Sequence, residues 1–157
     1  PPEGFSLRPA VAGDLAWLME AHAGMCVEDL GQDQVRRHPE SYRRYFRDLI
    51  GRRRVWVGES SGEPIFKAET PLESAKARLV EGVYTVPSAR GHGYAGWSMA
   101  WLTREAEADG RCACLYVHRR NDVARRVYRR IGYARVCRWT TVKLTSAAGG
   151  GHEPVVL

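Results

Sequence analysis

The sequence predicts an α/β fold in which helices cover both faces of one mixed sheet. Short apolar and β-branched runs alternate with longer segments of helical periodicity, in the order β-α-α-β-β-β-α-β-α-β. A turn signal, Ser60-Ser61-Gly62, joins the second and third strands as an antiparallel hairpin. The last two helices each lie between strands, which is the arrangement of βαβ units. An antiparallel meander followed by βαβ units is therefore expected.

The first strand and the first two helices are predicted from spacing and boundary residues. Residues 5–8 are extended, and Asp14 is of a residue type that favours a helix N-cap. Apolar residues recur after it at helical intervals until Gly31 ends the helix. A second helix over 39–50 has its aromatic residues on one face and most of its arginines on the other.

Three strands are expected next. The hairpin strands are 55–57 and 64–68, a loop covers 70–77, and a long strand runs over 78–86. Pro87 marks the end of that strand because it cannot donate a hydrogen bond to a neighbouring strand.

The last third of the chain is predicted to hold two helices and two extended segments. The helices cover about 93–108 and 122–131, and residues 112–117 form the strand between them. Extended structure resumes over 133–144. The expected buried positions of the two helices are Ala95, Met99, Leu102, Ala106, Ala124, Val127, Tyr128 and Ile131.

Length and composition fit one globular domain. The chain has 157 residues, of which 44% are hydrophobic and 27% charged, and this excludes collagen-like, disordered and coiled-coil chains. We expect a single domain over 1–145 and a flexible Gly-rich tail over 146–157. The start Pro1-Pro2-Glu3-Gly4 lacks an initiator Met, so we expect a chain that was processed or cut from a longer protein, and it lacks a signal-peptide pattern. The few cysteines are those expected of a cytoplasmic protein. No apolar run is long enough to cross a membrane.

The cysteines indicate buried reduced thiols. Four are too few for a small disulfide scaffold, and their spacing lacks a zinc-binding pattern, so no metal is expected. The four are Cys26, Cys112, Cys114 and Cys137.

The most informative segment covers residues 83–96, where a strand leads through a Gly-rich turn into a helix. Glycines allow positive φ angles and close approach of a ligand, and the N–H groups at a helix start bind anions. Arg90 adds a positive charge, so the segment predicts a pyrophosphate site; a glycine cluster without any ligand is the alternative. The spacing Gly91-x-Gly93-x-x-Gly96 also fits the dinucleotide-binding fingerprint, but His118-Arg119-Arg120 stands where that fold needs an acid.

Two motifs in register resemble those of the GCN5-related N-acetyltransferases. Arg90-x-x-Gly93-x-Ala95 resembles the family's Arg/Gln-x-x-Gly-x-Gly/Ala signature. Asn121-x-x-Ala124-x-x-x-Tyr128-x-x-x-Gly132-Tyr133 resembles its closing pattern, and one helix and one strand separate the two motifs, as in the family. The resemblance implies a mostly antiparallel, twisted sheet of six to seven strands flanked by about four helices.

The resemblance also implies acetyl transfer from acetyl-CoA to a primary amine by direct attack in a ternary complex. Tyr128 would protonate the departing thiolate and Glu81 would act as the base. Asn121 would bind the pantetheine arm, while the strand before the turn would pair with it. The residues implied for acetyl-CoA are Val83, Tyr84, Thr85, Arg90, Gly91, His92, Gly93, Tyr94, Ala95, Gly96 and Asn121.

Each proposed proton carrier has a structural alternative. Glu81 lies two residues before Val83, so an unbroken strand would put both side chains on one face, and an Arg salt bridge is its alternative. Tyr128 lies on the apolar stripe of its helix, so a core tyrosine is its alternative. Glu28, Asp29 and Glu69 could attract a cationic amine. His92 is expected to contact phosphate or solvent, and His22 to have a hydrogen-bond partner.

The charge balance leaves further functions open. Lysine and arginine total 24 against 18 acids, a net charge of +6, and 21 of the cations are arginine. An arginine-rich nucleic-acid binder is one alternative, but the arginines are not interleaved with exposed aromatic residues in a known module. A non-catalytic acyl-CoA sensor, or one half of a larger acetyltransferase-like protein, is the other. A homodimer or an additional domain outside this chain fits the same sequence.

Overall fold

A computed structural model describes residues 1–139 and contains one five-stranded sheet. The strands lie in chain order, antiparallel from the first to the fourth, and the fifth is parallel to the fourth. They are β1 (Phe5–Pro9), β2 (Val55–Ser60), β3 (Glu63–Glu69), β4 (Ala77–Thr85) and β5 (Cys112–Leu115). Residues 133–139, the first part of the predicted extended segment, are in neither a strand nor a helix. Its remainder, 140–144, and the predicted tail lie outside the described residues.

Helices pack on both faces of this sheet, as predicted. They are α1 (Leu15–Leu30), α2 (Gln34–Arg37), α3 (Pro39–Gly51), α4 (Tyr94–Ala108) and α5 (Asp122–Arg130). The sequence analysis missed α2, whose start is marked by the Asp33 carboxylate accepting the Arg36 N–H at 2.8 Å. Asp14 lies at the α1 N-cap position, but its carboxylate binds Arg8 and the Val11 N–H instead of an α1 amide.

Two hydrophobic cores lie on opposite faces of the sheet. On one face α1, α2 and α3 bury a cluster against β2 that includes Leu18, Phe46 and Val57. On the other face α4 and α5 pack against β3 and β4 around Phe66 and Met99. Apolar burial on each face is what fixes helices against a sheet of this kind.

The pairing of β3 with β4 is interrupted by a β-bulge. Lys67 pairs with Tyr84, whereas Glu69 pairs with Glu81, so β4 has one more residue than β3 between these two pairs. Gly82 lies in that interval with a φ of 57°, a left-handed conformation that glycine adopts without strain. The bulge changes which face of the sheet the following residues occupy.

The prediction of buried thiols is correct only for Cys26. Cys112, Cys114 and Cys137 are exposed. Leu115 packs into the α4 core, and the two β5 cysteines project to the other face of this edge strand, which stays exposed within residues 1–139. Alternation along a strand identified their common face, but it could not show whether other elements cover that face.

Candidate functional site

The second half of β4 has an open edge. In the described part of the chain, β5 pairs with β4 only over Ala77–Val80, and no strand lies beside residues 81–85 on that side. We call residues 81–85 the open edge. Such an edge presents backbone N–H and C=O groups that can pair with an extended ligand.

A Gly-rich turn connects the open edge to α4. Gly91 and Gly93 have φ angles of 85° and 83°, and a Cβ added at either would meet no atom within 4 Å. Within residues 1–139 the backbone N–H groups of 91–96 have no hydrogen-bond acceptor. These donors and the positive end of the α4 dipole are chemically suited to an anion.

Arg90 lies after β4, at the start of the Gly-rich turn, and contacts α1. Its Nε donates to the Thr85 carbonyl oxygen at 2.9 Å, and its Nη2 lies 2.8 and 2.9 Å from the two carboxylate oxygens of Glu28. The Tyr84 hydroxyl donates to the same carboxylate at 3.2 Å, and the Tyr84 ring lies 5.4 Å from the guanidinium carbon. The predicted phosphate-binding cation is therefore held beside the turn by a carboxylate.

Four side chains form a buried cluster beneath the bulge: His22, Tyr45, Lys67 and Glu69. The Lys67 Nζ donates to the Glu69 Oε1 at 2.5 Å and to the Gly82 carbonyl at 2.8 Å. It lies 3.2 Å from the His22 Nδ1, and the Tyr45 hydroxyl donates to the Glu69 Oε2 at 2.7 Å. Lys67 and Glu69 are 0% and 1% exposed, so both charges are removed from water.

Burial and charge shift the pKa values in and beside this cluster. Burial would raise the pKa of Glu69, but Lys67 and His22 hold it well below its usual range. Burial lowers the pKa of His22. Burial and then the charge of Glu69 raise the pKa of Glu81, which lies directly opposite Glu69. A half-buried carboxyl with a raised pKa is better matched to proton transfer near neutral pH.

The bulge corrects the predicted orientation of Glu81. Val83 packs into the core beneath α4 and α5, whereas Glu81 lies across from Glu69 on the face covered by α1 and α3. The expectation that Glu81 and Val83 share a face is therefore wrong, because the extra residue at the bulge breaks the two-residue alternation. Glu81 shares its face with Tyr84, whose hydroxyl reaches Glu28 on α1.

Tyr128 lies on α5 among the residues packed against the second core. Burial, then Tyr133 and Asp29, raise its pKa to about 12, so the phenol stays protonated at neutral pH. Its ring centre lies 5.8 Å from that of Tyr133. In the described part of the chain its hydroxyl has no hydrogen-bond partner, whereas the Tyr133 hydroxyl lies 2.9 Å from the Thr103 Oγ1.

The remaining predicted site residues have structural contacts of their own. The Asn121 side chain caps α5 by accepting the Ala124 N–H at 3.0 Å. The Tyr94 ring stacks on Phe5 with ring centres 4.7 Å apart, and its hydroxyl lies 3.3 Å from the Ser60 Oγ. His92 is exposed, with its Nδ1 3.0 Å from the Arg90 carbonyl oxygen. Ala95 is partly buried in the second core, and Gly96 faces Val127 of α5.

Sequence reasoning missed the role of Lys67. Its signal is a lysine in the middle of an apolar strand, Ile65-Phe66-Lys67-Ala68-Glu69, where a buried charge needs a partner. His22 has the partner that was expected of it. Among residues 1–139 no group of three or more His, Cys, Asp and Glu side chains is arranged to hold a metal, and no helix is both long and apolar enough to cross a membrane.

Comparison with known proteins identifies the fold. The family model described as FR47-like protein matches residues 72–142, and no curated protein matches the chain. A "predicted acetyltransferase" from Clostridium acetobutylicum, solved with acetyl-CoA, is 19% identical with a TM-score of 0.68, over 88% of this chain and 95% of that one. A GCN5-related N-acetyltransferase from Ralstonia eutropha JMP134 is 19% identical with a TM-score of 0.69, over 88% and 98%.

An aminoglycoside N-acetyltransferase, AAC(6')-Iy, has the same fold. The protein in its complex with the bisubstrate analog CoA-S-monomethyl-acetylneamine is 14% identical in sequence to this chain. The TM-score is 0.66, over 90% of this chain and 99% of that one. The predicted fold class is confirmed, although five strands are seen in residues 1–139 where six to seven were expected.

Proposed function

We propose that this chain, which has the GCN5-related N-acetyltransferase fold, transfers the acetyl group of acetyl-CoA to a primary amine. The observation that carries the proposal is the open edge of β4 beside the unpaired amides of residues 91–96. An amide-containing arm can pair with the open edge as an added strand. A pyrophosphate at the end of that arm then meets the start of α4.

Arg90 is proposed to turn from Glu28 to the pyrophosphate when acetyl-CoA binds. Its ion pair with Glu28 is half exposed, and exposed pairs contribute little stability. A pyrophosphate offers more negative charge and further oxygens for the planar guanidinium. Val83, Tyr84 and Thr85 are proposed to hold the pantetheine arm through their backbone, and Asn121 through the side-chain N–H groups that its capping contact leaves free.

Glu81 and Tyr128 are proposed as base and acid. Glu81 takes a proton from the incoming ammonium, and the amine nitrogen then attacks the thioester carbonyl carbon. As the C–N bond forms, the C–S bond breaks and the thiolate takes the Tyr128 hydroxyl proton. The second nitrogen proton restores the phenol, so the products are the acetamide, free CoA and the proton held by Glu81. The raised pKa of Glu81 favours the first step.

The acceptor is proposed to be a cationic amine that approaches between α1 and the open edge. The end of α1 carries Glu28, whose carboxylate lies beside Tyr84, and Asp29, whose charge reaches Tyr128. Once Arg90 binds pyrophosphate, the Glu28 carboxylate is free to attract an ammonium group. The likeness to a structure holding an aminoglycoside-derived analog supports an amine of this kind.

Binding and turnover test the proposal separately. Calorimetry with acetyl-CoA, NADH and a short RNA should show binding of acetyl-CoA alone, and RNA or NADH binding alone would contradict it. Thiol release from acetyl-CoA with polyamines, aminoglycosides and peptide amines should then identify an acceptor. Tight acetyl-CoA binding with no turnover for any amine would favour the non-catalytic sensor.

A further inference from the structure

The buried cluster lies directly beneath the proposed base, and the chemistry proposed above does not use it. Cross-strand partners in an antiparallel pair project to the same face, so the Glu69 and Glu81 side chains leave the sheet on the same side. Two residues cover the cluster on its helix side: Tyr45 of α3 contacts Glu69, and His22 of α1 contacts Lys67.

The cluster also contacts the backbone of the bulge. Lys67 donates to the Gly82 carbonyl, the residue between Glu81 and the cofactor-binding part of the open edge. A Cβ at Gly82 would lie 2.3 to 2.8 Å from the Glu69 carboxyl atoms, so this carboxylate fills the space that a larger residue would need. The ion pair and the bulge therefore depend on each other.

A buried ion pair in a core carries a desolvation penalty that apolar side chains do not have. Two apolar residues of similar volume often stabilise a fold equally well or better, so a buried pair is weak support for a purely stabilising role. Here the ammonium satisfies a carbonyl at the bulge, and the carboxylate lies next to a second carboxyl group.

We propose that Lys67 and Glu69 are positioning residues for the proposed reaction, with Lys67 holding the bulge that shapes the open edge and Glu69 placing a buried negative charge opposite Glu81, the proposed base. This inference rests on the proposed acetyltransferase function. Neither residue touches the reacting atoms; both act through Gly82 and Glu81. The titratable groups on this side of Glu81 come from β3, α1, α3 and β5, and they are Lys67, Glu69, His22, Tyr45 and Cys114.

The deciding experiment is a carboxyl NMR titration of the ligand-free full chain, comparing the wild type with Glu69→Gln. Glutamine keeps the shape of the side chain but removes the charge that repels Glu81. The Glu81 titration midpoint should fall, because burial, the larger cause of its raised pKa, stays in the variant while the charge of Glu69 is lost. The control is Glu73→Gln, because Glu73 pairs with Arg54, Arg78 and Arg111 away from Glu81, and that variant should leave the midpoint unchanged.

Kinetics give the second readout. In Glu69→Gln the acid limb of the kcat/KM profile should move to lower pH with the Glu81 midpoint, whereas Lys67→Met should mainly raise the KM for acetyl-CoA. If Glu69→Gln does not fold, the neutral double variant Lys67→Met with Glu69→Gln removes both charges together and is used instead. It lacks the bond to the Gly82 carbonyl, so its KM for acetyl-CoA should rise.

The two proposals fail in different ways. An unchanged Glu81 midpoint in a folded Glu69→Gln variant, or an unchanged KM for acetyl-CoA in the double variant, overturns the positioning role, even if acetyl transfer is active. Absence of acetyl-CoA binding by the wild type overturns the proposed function, and the ligand-free titration still decides whether Glu69 acts on Glu81.

Discussion

At the scale of single residues, the Tyr128→Phe variant tests whether Tyr128 donates a proton or only packs in the core. Its pKa of about 12 makes the phenol a weaker acid than a free thiol. The phenol can therefore donate its proton only to a CoA thiolate that forms next to it. Tyr128→Phe should lower kcat by about 10²–10⁴-fold if the phenol is the acid. The measurement is steady-state thiol release at saturating acetyl-CoA, with circular dichroism to confirm the fold.

Tyr133 offers a matched control on the same side of the sheet. It is a half-buried tyrosine whose ring lies 5.8 Å from that of Tyr128, and its hydroxyl contacts Thr103. Tyr133→Phe removes a hydrogen bond but no proposed proton donor, so turnover should stay within a few-fold of the wild type. Equal turnover in both variants would make Tyr128 a core residue and require another proton source.

Residue types could be predicted from the sequence, but their partners could not. The motifs identified Arg90 and Asn121 correctly as neighbours of the turn and of the α5 start. Nothing in them indicates that Glu28 of α1 binds Arg90, because that contact joins residues 62 apart in sequence. The cap made by Asn121 is local, and an Asn followed by helical spacing does indicate it.

At the scale of elements, most strands and helices were predictable because their periodicity and end signals are local. The β4 bulge was not, since register depends on the neighbouring strand and on what fills the space beside Gly82. The missed bulge led to the wrong face for Glu81. The face of β5 that holds Cys112 and Cys114 is uncovered within residues 1–139, and this led to the wrong burial for both cysteines. Both errors arise from contacts between elements.

The Gly-rich turn provides an element-scale test with a control on the same helix. Gly93 at the start of α4 and Gly110 just past its end have φ angles of 83° and 73°, and both have open space at the Cβ position. Valine at either position should cost about 1–2 kcal/mol or more in backbone strain. Only Gly93→Val should also weaken acetyl-CoA binding, because its side chain would crowd the free amides.

Calorimetry and thermal melts on both variants measure these two effects. A similar loss of melting temperature is expected for Gly93→Val and Gly110→Val, together with a raised Kd for the first alone. An unchanged Kd for Gly93→Val would place the pyrophosphate elsewhere.

At the scale of the whole molecule, the buried cluster joins helices α1 and α3 to the central strands β3 and β4. His22 comes from α1 and Tyr45 from α3, while Lys67 and Glu69 belong to the central strand β3 and contact the bulge of β4. Any change of charge within the cluster therefore affects the packing of α1 and α3 on the sheet. The stability of the protein should depend on pH through this cluster.

His22 makes that dependence measurable. Burial lowers its pKa in the folded protein, whereas an unfolded histidine titrates near about 6.5. Below that pH the unfolded chain binds more protons, so the free energy of unfolding should fall as pH drops from about 6.5, by at most about 1.4 kcal/mol per pH unit, until the folded His22 is itself protonated. Glu69, whose pKa is lowered, adds a second loss below about pH 4.3.

Urea unfolding between pH 5 and 7 tests this, with His22→Gln compared against the exposed control His92→Gln. The carboxyl groups contribute almost equally to all three proteins, so the difference in slope isolates the histidine. His22→Gln should lower the slope of the free energy of unfolding against pH by up to the equivalent of one bound proton, because glutamine does not titrate. Its side chain can still accept a hydrogen bond from Lys67. His92→Gln should follow the wild type. If His22→Gln keeps the wild-type slope, the pKa of His22 is the same in the folded and the unfolded protein. That result would contradict the placement of the imidazole against Lys67 in the buried cluster.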